Sequence, residues 1–146
     1  MVQIAEIIPD EGLDLLLGQF PKNSTRQTSC WLCLFTSQTA STVITSGQTM
    51  ADITETVFTN YARQELATAT WGAVAAGTGG RKTTYSQITF PTVGATGATI
   101  NGFFLSDILS TTGDKCEGAA NFDDVTAVVL ATNDIIKVTP TFQYNN

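Results

Sequence analysis

Two cysteines three residues apart, Cys30 and Cys33, form the pattern in this sequence with the strongest link to known chemistry. Thiols at this spacing occur in redox centres and zinc knuckles, and Cys116 offers a third sulfur. The pair lies in CWLCLFT, an apolar run of strand length, and residues i and i+3 of a strand face opposite sides. A zinc site also needs a fourth ligand, and the chain has no histidine and no fourth cysteine. We therefore expect three ordinary buried thiols without a disulfide, as in a reducing cytoplasm.

Acidic side chains are the second candidate group, because carboxylate oxygens are ligands that calcium prefers. They cluster in two stretches of the chain, with Asp10, Glu11 and Asp14 in the first and Asp107, Asp114, Glu117, Asp123 and Asp124 in the second. Neither stretch has the D-x-D-x-D-G order of a calcium loop. We expect carboxylates that are solvated or that begin a helix, and we predict no metal site.

The charge balance opposes binding to nucleic acid. Thirteen acidic against seven basic side chains give a net charge of −6, whereas phosphate backbones are bound through Lys and Arg. Only Arg81 and Lys82 are adjacent bases, and the GTGGRK segment around them lacks the spacing of a phosphate-binding loop. The absence of histidine removes the side chain that most readily exchanges protons near neutral pH. We therefore predict no catalytic residue, no cofactor and no enzymatic activity.

The sequence also lacks the marks of a membrane protein. No apolar run reaches the roughly 18 residues of a membrane helix. The start MVQIAEIIPDEG has neither the basic nor the apolar part of a secretory signal. We expect a protein that is made and folds in a cytoplasm, without a membrane partner.

The elements that position these residues follow from the apolar spacing. Three leucines on one face predict a short amphipathic helix between Ile7 and Phe20. CWLCLFT predicts a strand buried on both faces, residues 36–60 predict a long loop, and GTGGRK predicts a hairpin turn. Further strands are predicted at Thr84–Pro91, Ala98–Ser106, Val125–Ala131 and Asp134–Tyr144. Pro140 has no backbone N–H, so we expect the last of these strands at a sheet edge or with a bulge.

Composition and element order together predict the fold class. The length of 146 residues suits one core, and the 25 threonines are typical of β-sheet. No alternation of strands with helices supports a parallel sheet. We predict an all-β protein, an antiparallel β-sandwich or small barrel of jelly-roll type with a short N-terminal helix. Residues 1–20 form the N-terminal arm and helix, and residues 21–146 form a single β-sandwich domain.

Six segments in order resemble a group of small virion proteins of tailed bacteriophages: IIPDEGLDLLL, CWLCLFTS, NYARQEL, SQITFP, ATINGFFLSD and NDIIKVTPTFQY. In that group a Leu-rich helix precedes an L-x-LF-T strand, a YARQ segment and an ITFP strand, and a GxFL-D strand and a GD-x-I-x-F terminus close the domain. The resemblance spans Ile7 to Tyr144. Departures are Asn133-Asp134 in place of Gly-Asp and an insertion-like region at Thr111 to Asp124.

The resemblance implies a structural protein of the virion, made in the host bacterial cytoplasm. Its first implied role is a head decoration, or cement, protein on the outer capsid surface, which bridges and stabilises major capsid subunits. The second is a tail, baseplate or fibre-associated component, because one fold serves many functions. A third reading, from another class, is a carbohydrate-binding module on a sandwich scaffold, which needs exposed aromatic side chains. The partner is then the major capsid protein, or a tail or baseplate protein, and a homo-oligomer is expected, with a trimer favoured.

An apolar N-terminal segment and a sheet edge are the candidate surfaces for contact with a partner. The residues concerned are Ile4, Ile7, Ile8, Leu13, Leu16, Leu17 and Pro140. Short terminal segments stay disordered unless they are docked. The segment either folds back onto its own sandwich or contacts a neighbouring subunit, and the sequence leaves both open.

Overall fold

A computed structural model describes residues 8–19, 28–37, 45, 47, 49–77, 80–95, 97–122 and 128–145 of the chain. In chain order the elements are helix α1 (Asp10–Gln19) and strands β1 (Ser29–Phe35), β2 (Gln64–Ala67), β3 (Ala75–Gly77), β4 (Gly80–Thr84), β5 (Ile88–Thr89), β6 (Ala98–Ile100), β7 (Gly102–Ser106), β8 (Cys116–Asn121), β9 (Val128–Leu130), β10 (Lys137–Val138) and β11 (Thr141–Asn145). Short 3₁₀ turns lie at Met50–Asp52 and Thr68–Thr70.

A four-stranded antiparallel sheet in the order β2-β1-β7-β8 is the main layer. Cys33 of β1 lies opposite Phe104 of β7, which in turn lies opposite Ala119 of β8. Three smaller antiparallel sheets, β11-β4-β3, β10-β5 and β6-β9, accompany it. The predicted fold class, all-β and sandwich-like with a short N-terminal helix, is confirmed. The division into an arm of residues 1–20 and a domain of residues 21–146 stays a prediction.

Side chains cover both faces of the main sheet. This coverage is needed because β1 is apolar at nearly every position. The main core joins one face to side chains from the smaller sheets and contains Cys30, Leu32, Leu34, Phe58, Leu66, Tyr85, Phe90, Val93, Ile100, Phe103, Leu105, Ala120, Phe122, Leu130, Ile136 and Val138. The second core lies on the other face and contains Cys33, Phe35, Ile53, Phe104, Cys116 and Ala119. The predicted strand with two buried faces is therefore confirmed as β1.

The prediction of one strand over Ala98–Ser106 is wrong. Asn101 separates β6 from β7, and the two strands belong to different sheets. The Asn101 backbone N–H donates to the Phe35 carbonyl at 2.9 Å, and its side-chain amide donates to the Ser37 carbonyl at 3.0 Å. These bonds hold the chain at the point where it changes sheet.

Two other predicted strands are also interrupted. Within Thr84–Pro91 the chain leaves β4 after Thr84 and forms only the two residues of β5. The C-terminal strand is divided into β10 and β11 by Pro140, whose carbonyl accepts the Tyr85 N–H at 2.9 Å. As predicted, β11 lies at a sheet edge. Of the predicted strand at Val125–Ala131, β9 is present, and residues 123–127 lie outside the described part of the chain.

The predicted hairpin at GTGGRK is confirmed, since β3 pairs with β4 and Gly77 lies opposite Gly80. The predicted long loop is more ordered than expected, because its last part forms a 3₁₀ turn and Glu55 bridges to Phe35. β8 was not predicted at all. Its sequence, CEGAAN, lies in the insertion-like region, yet five of its six residues are buried.

Candidate functional site

Arg63, from the YARQ segment, organises a buried polar cluster. Its side chain is only 4% exposed. Nε and Nη2 donate to the Glu55 carboxylate at 3.0 and 2.7 Å, and Nη2 also donates to the Asp114 carboxylate at 2.8 Å. Asp114 is itself 5% exposed. One buried cation therefore joins two carboxylates that lie 8 and 51 residues away in sequence.

The third nitrogen of the Arg63 guanidinium binds the connection between β7 and β8. Nη1 donates to the Ser106 hydroxyl at 3.1 Å and to the carbonyls of Ile108 and Ser110 at 2.9 and 3.0 Å. The guanidinium carbon also lies 5.8 Å from the centroid of the Phe104 ring, within the range of a cation–π contact. All three nitrogens are thus engaged, and the cluster fixes the connection to the sheet.

Tyr61 completes the cluster and links it to β1. Its hydroxyl donates to the Glu55 carboxylate at 2.7 Å and accepts the Leu34 N–H at 3.1 Å. Burial, together with nearby Cys33 and Glu55, raises the pKa of Tyr61 above its ordinary value, so it stays a phenol. Burial alone opposes the charged form of Arg63, but its hydrogen bonds to Glu55 and Asp114 raise its pKa, so it stays a cation. Tyr61 and Arg63 therefore each keep one protonation state near neutral pH.

Cys30 and Cys33 occupy separate environments, as their spacing predicts. Cys30 lies in the main core and Cys33 in the second core, on opposite faces of β1. Cys116 is also buried, in the second core with Cys33, and none of the three cysteines forms a disulfide. Burial, and after it the negative charge of Glu55, raises the pKa of Cys33 above its ordinary value, so its thiolate is not formed at neutral pH.

The acidic residues fall into several environments. Asp107 accepts the Lys115 N–H at 2.7 Å across the β7–β8 connection. Asp114 was expected to be solvated, which is wrong, because it is buried and paired with Arg63. Asp123 and Asp124 lie outside the described residues. Within the described ranges, no group of three or more His, Cys, Asp or Glu side chains is placed to hold a metal ion.

Helix α1 docks closely on β8 at Gly12. A Cβ on Gly12 would lie 2.9 Å from the Cys116 carbonyl oxygen and 2.7 Å from that of Glu117. Only glycine allows the helix backbone to approach the strand this closely. Pro9, which precedes the helix, is also fully buried. The short N-terminal helix is confirmed, and it rests on its own sheet.

Two of the three leucines on the predicted apolar face of α1 are exposed. Leu13 is 40% exposed and Leu17, one turn later, is 58% exposed. Ile8 is half-buried. The remaining candidate contacts of this segment lie outside what the structure describes, namely Ile4, Ile7 and the side chain of Leu16. Pro140, the last candidate, is buried between β10 and β11 rather than exposed at the edge.

The two tryptophans are half-buried. Trp31 packs against the second core, and Trp71 meets the ring of Tyr85 edge-on, with centroids 5.3 Å apart. Both serve as packing anchors, Trp31 for the second core and Trp71 for the main core. Among the described helices none is long and apolar enough to cross a membrane.

Sequence reasoning did not find the Arg63 cluster. Its signal was indirect: Arg63 is one of only seven bases in the chain and lies two residues after Tyr61. Asp114 gave no signal, because it lies in the region that was expected to be an insertion.

One comparison with known proteins identifies a relationship. The family model described as "Podophage GP4 fiber I protein gp80" matches residues 10–140, which is most of the chain. No curated protein and no solved structure matches. The matched range begins with α1 and ends just before β11, so it includes the whole Arg63 cluster.

Proposed function

This chain belongs to the family of the podophage GP4 fiber I protein gp80, and from that premise we propose that it is a fibre-associated structural component of the bacteriophage virion. The resemblance to virion proteins of tailed bacteriophages is thereby confirmed, as is the coarse role of a structural protein. The observation that carries the proposal is the match over residues 10–140. The family description names a fibre, which favours the second role inferred from the sequence over head decoration.

The geometry supports a protein that works by adhesion and turns over no substrate. The polar side chains that lie together around Arg63 bind one another and hold chain segments in place. Cys33 is held as a thiol, and Tyr61 as a phenol. Rigid β-rich scaffolds of this kind present loops and helices for contact. Its proposed partner is a neighbouring protein of the fibre or tail.

Purified particles provide the test. We would separate heads from tails with attached fibres, and locate the protein by quantitative mass spectrometry and by cryo-EM of both fractions. The proposal expects the protein in the tail fraction. Density for it between major capsid subunits on the outer head surface would contradict the fibre assignment and restore the decoration role.

We further propose that the protein forms a closed homo-oligomer, with a trimer as the expected state. The support is that β11 lies at a sheet edge, and closed symmetry is one means by which proteins cover such edges. Analytical ultracentrifugation of the purified protein gives the mass directly. A monomer across the micromolar range, together with single copies in particle maps, would contradict this proposal.

A further inference from the structure

We propose that Asn101 and Gly102 form a self-modification site that the fold keeps inactive. In an unfolded chain the Asn101 side chain deamidates, and the aspartate or isoaspartate that results no longer holds the junction between β6 and β7. In the native protein the same junction prevents the reaction. The inference concerns the chemistry of this pair of residues and does not depend on the proposed role in the virion.

The sequence at this junction favours deamidation, because Asn101-Gly102 is the single Asn-Gly pair of the chain. The Gly102 backbone nitrogen loses its proton and bonds to the side-chain carbon Cγ of Asn101, and the side-chain nitrogen takes up the proton and leaves as ammonia. Glycine has no Cβ to hinder the five-membered imide ring that forms. Water then opens the ring at either carbonyl, which yields aspartate or isoaspartate without a change of oxidation state. The reaction therefore needs only water and the freedom to close the ring.

The native junction withholds that freedom from the Asn101 side chain. Its amide nitrogen donates to the Thr36 carbonyl at 2.5 Å and to the Ser37 carbonyl at 3.0 Å, so both of its hydrogens are engaged. The backbone is held as well, since the Asn101 N–H donates to the Phe35 carbonyl at 2.9 Å and the Asn101 carbonyl accepts the Phe122 N–H at 3.0 Å. Closure of the imide ring requires the side chain to leave both carbonyls and turn back onto the following nitrogen.

Gly102 is restricted by its neighbours in the main sheet. It is buried between β1 and β8, and a Cβ built on it would overlap the Ala120 carbonyl oxygen and the Phe35 ring. Its backbone therefore has little room to change conformation. Asn101 itself is only half-buried, so the protection comes from restricted geometry rather than from exclusion of water. We expect the reaction to proceed only when the junction opens.

The product of deamidation does not fit where the amide fits. Both partners of the Asn101 amide nitrogen are carbonyl oxygens, which only accept hydrogen bonds, and an ionised carboxylate also only accepts them. An aspartate here would replace two hydrogen bonds by contacts between oxygens. Isoaspartate would in addition insert a methylene group into the main chain between the end of β6 and the start of β7. Deamidation therefore weakens the attachment of this junction to the end of β1.

Peptide mass spectrometry of the full-length chain tests whether the fold controls the reaction. Native protein and protein unfolded in guanidinium chloride are incubated at the same mildly alkaline pH. We expect Asn101 to deamidate at least about tenfold more slowly in the native protein, since this factor requires an opening free energy of only about 1.4 kcal/mol. Asn60, which is exposed and is followed by the bulky Tyr61, is the internal control. A smaller difference, or an unfolded chain in which Asn101 deamidates no faster than Asn60, would overturn the proposal.

The variant Asn101→Asp tests the effect of the product. Its matched control is Asn60→Asp, which changes the charge equally and removes a side-chain bond to the Thr92 carbonyl, but at an exposed position. Aspartate also tolerates the φ of +77° found there. We expect the midpoint of thermal unfolding to fall by at least about 5 °C for Asn101→Asp and by no more than about 2 °C for the control. Equal midpoints for the two variants would show that the junction accepts the product, and would overturn the proposal.

Discussion

Replacing Arg63 with methionine should destabilise the protein more than any surface substitution. The Arg63→Met variant keeps most of the side-chain volume but leaves the carboxylates of Glu55 and Asp114, which are 16% and 5% exposed, without their cation. Breaking a buried ion pair by removing one partner costs about 3–5 kcal/mol. Because the whole folding free energy of a domain is roughly 5–15 kcal/mol, this is a large fraction of it. At about 2–4 °C per kcal/mol, the midpoint should fall by roughly 6–20 °C.

Thermal and urea unfolding at neutral pH measure the effect. The matched control is Arg81→Met on β4, which also removes one arginine but from an exposed position with a single hydrogen bond, to the Val74 carbonyl. The control should change the unfolding free energy by no more than about 0.5 kcal/mol. Both variants alter the net charge equally, so their difference isolates the buried cluster from the overall charge.

A triple variant tests the reason for the loss. In Arg63→Met/Glu55→Gln/Asp114→Asn no charge remains buried in the cluster, so the triple variant should recover more than half of the stability that Arg63→Met loses. A loss below about 1 kcal/mol for Arg63→Met would refute the reasoning. A triple variant no more stable than the single one would also refute it, since lost packing rather than an uncompensated charge would then be the cause.

Three further predictions follow from other parts of the molecule. The variant Leu13→Ser/Leu17→Ser, whose two leucines are exposed on α1, should melt within about 2 °C of wild type but be depleted from particles when host cells supply it to a phage that lacks this gene. Incorporation equal to that of wild type would contradict a contact at α1. Because all three thiols are buried, iodoacetamide at pH 8.5 should label no cysteine of the native protein, and burial also raises the pKa of Cys33. Mass spectrometry should find three labelled cysteines after denaturation, and rapid labelling of the native protein would contradict the buried positions. Gly102→Ala should lower the free energy of unfolding in urea by about 1–3 kcal/mol, because its Cβ would overlap the Ala120 carbonyl oxygen and the Phe35 ring. Gly47→Ala should be neutral, because no atom of the described residues lies within 4 Å of the added methyl group.

Patterns of neighbouring residues were sufficient to predict α1, β1 and the β3–β4 hairpin. The proline and acids before the leucines placed α1, and seven consecutive apolar or small residues placed β1. The opposite directions of Cys30 and Cys33 follow from strand geometry alone, and the structure confirms them. Turn glycines likewise placed the β3–β4 hairpin, because they permit backbone angles that other residues avoid.

The remaining features depend on tertiary contacts that no local pattern records. β8 is built from small residues without alternation, and it is a strand because β7 pairs with it and α1 covers it. Asn101 ends one strand and begins another through bonds to the end of β1, more than sixty residues away. The Arg63 cluster depends on Asp114, 51 residues further along the chain. The Arg63 cluster therefore depends on contacts between distant parts of the chain, whereas α1 and β1 follow from local sequence patterns.

The burial of β1 on both faces has a consequence for how the strands are aligned. In a sheet with one wet face, a slip of one residue would expose the apolar side chains, so hydrophobicity fixes the alignment. In β1 such a slip exchanges Leu32 and Leu34 for Cys33 and Phe35, and both sets are apolar. The alignment therefore needs a steric marker, and Gly102 provides one, since it lies opposite Phe35 and leaves room for the Phe35 ring where a side chain would stand. A missing Cβ on β7, rather than the hydrophobic pattern of β1, thus specifies which residues meet across the centre of the sheet.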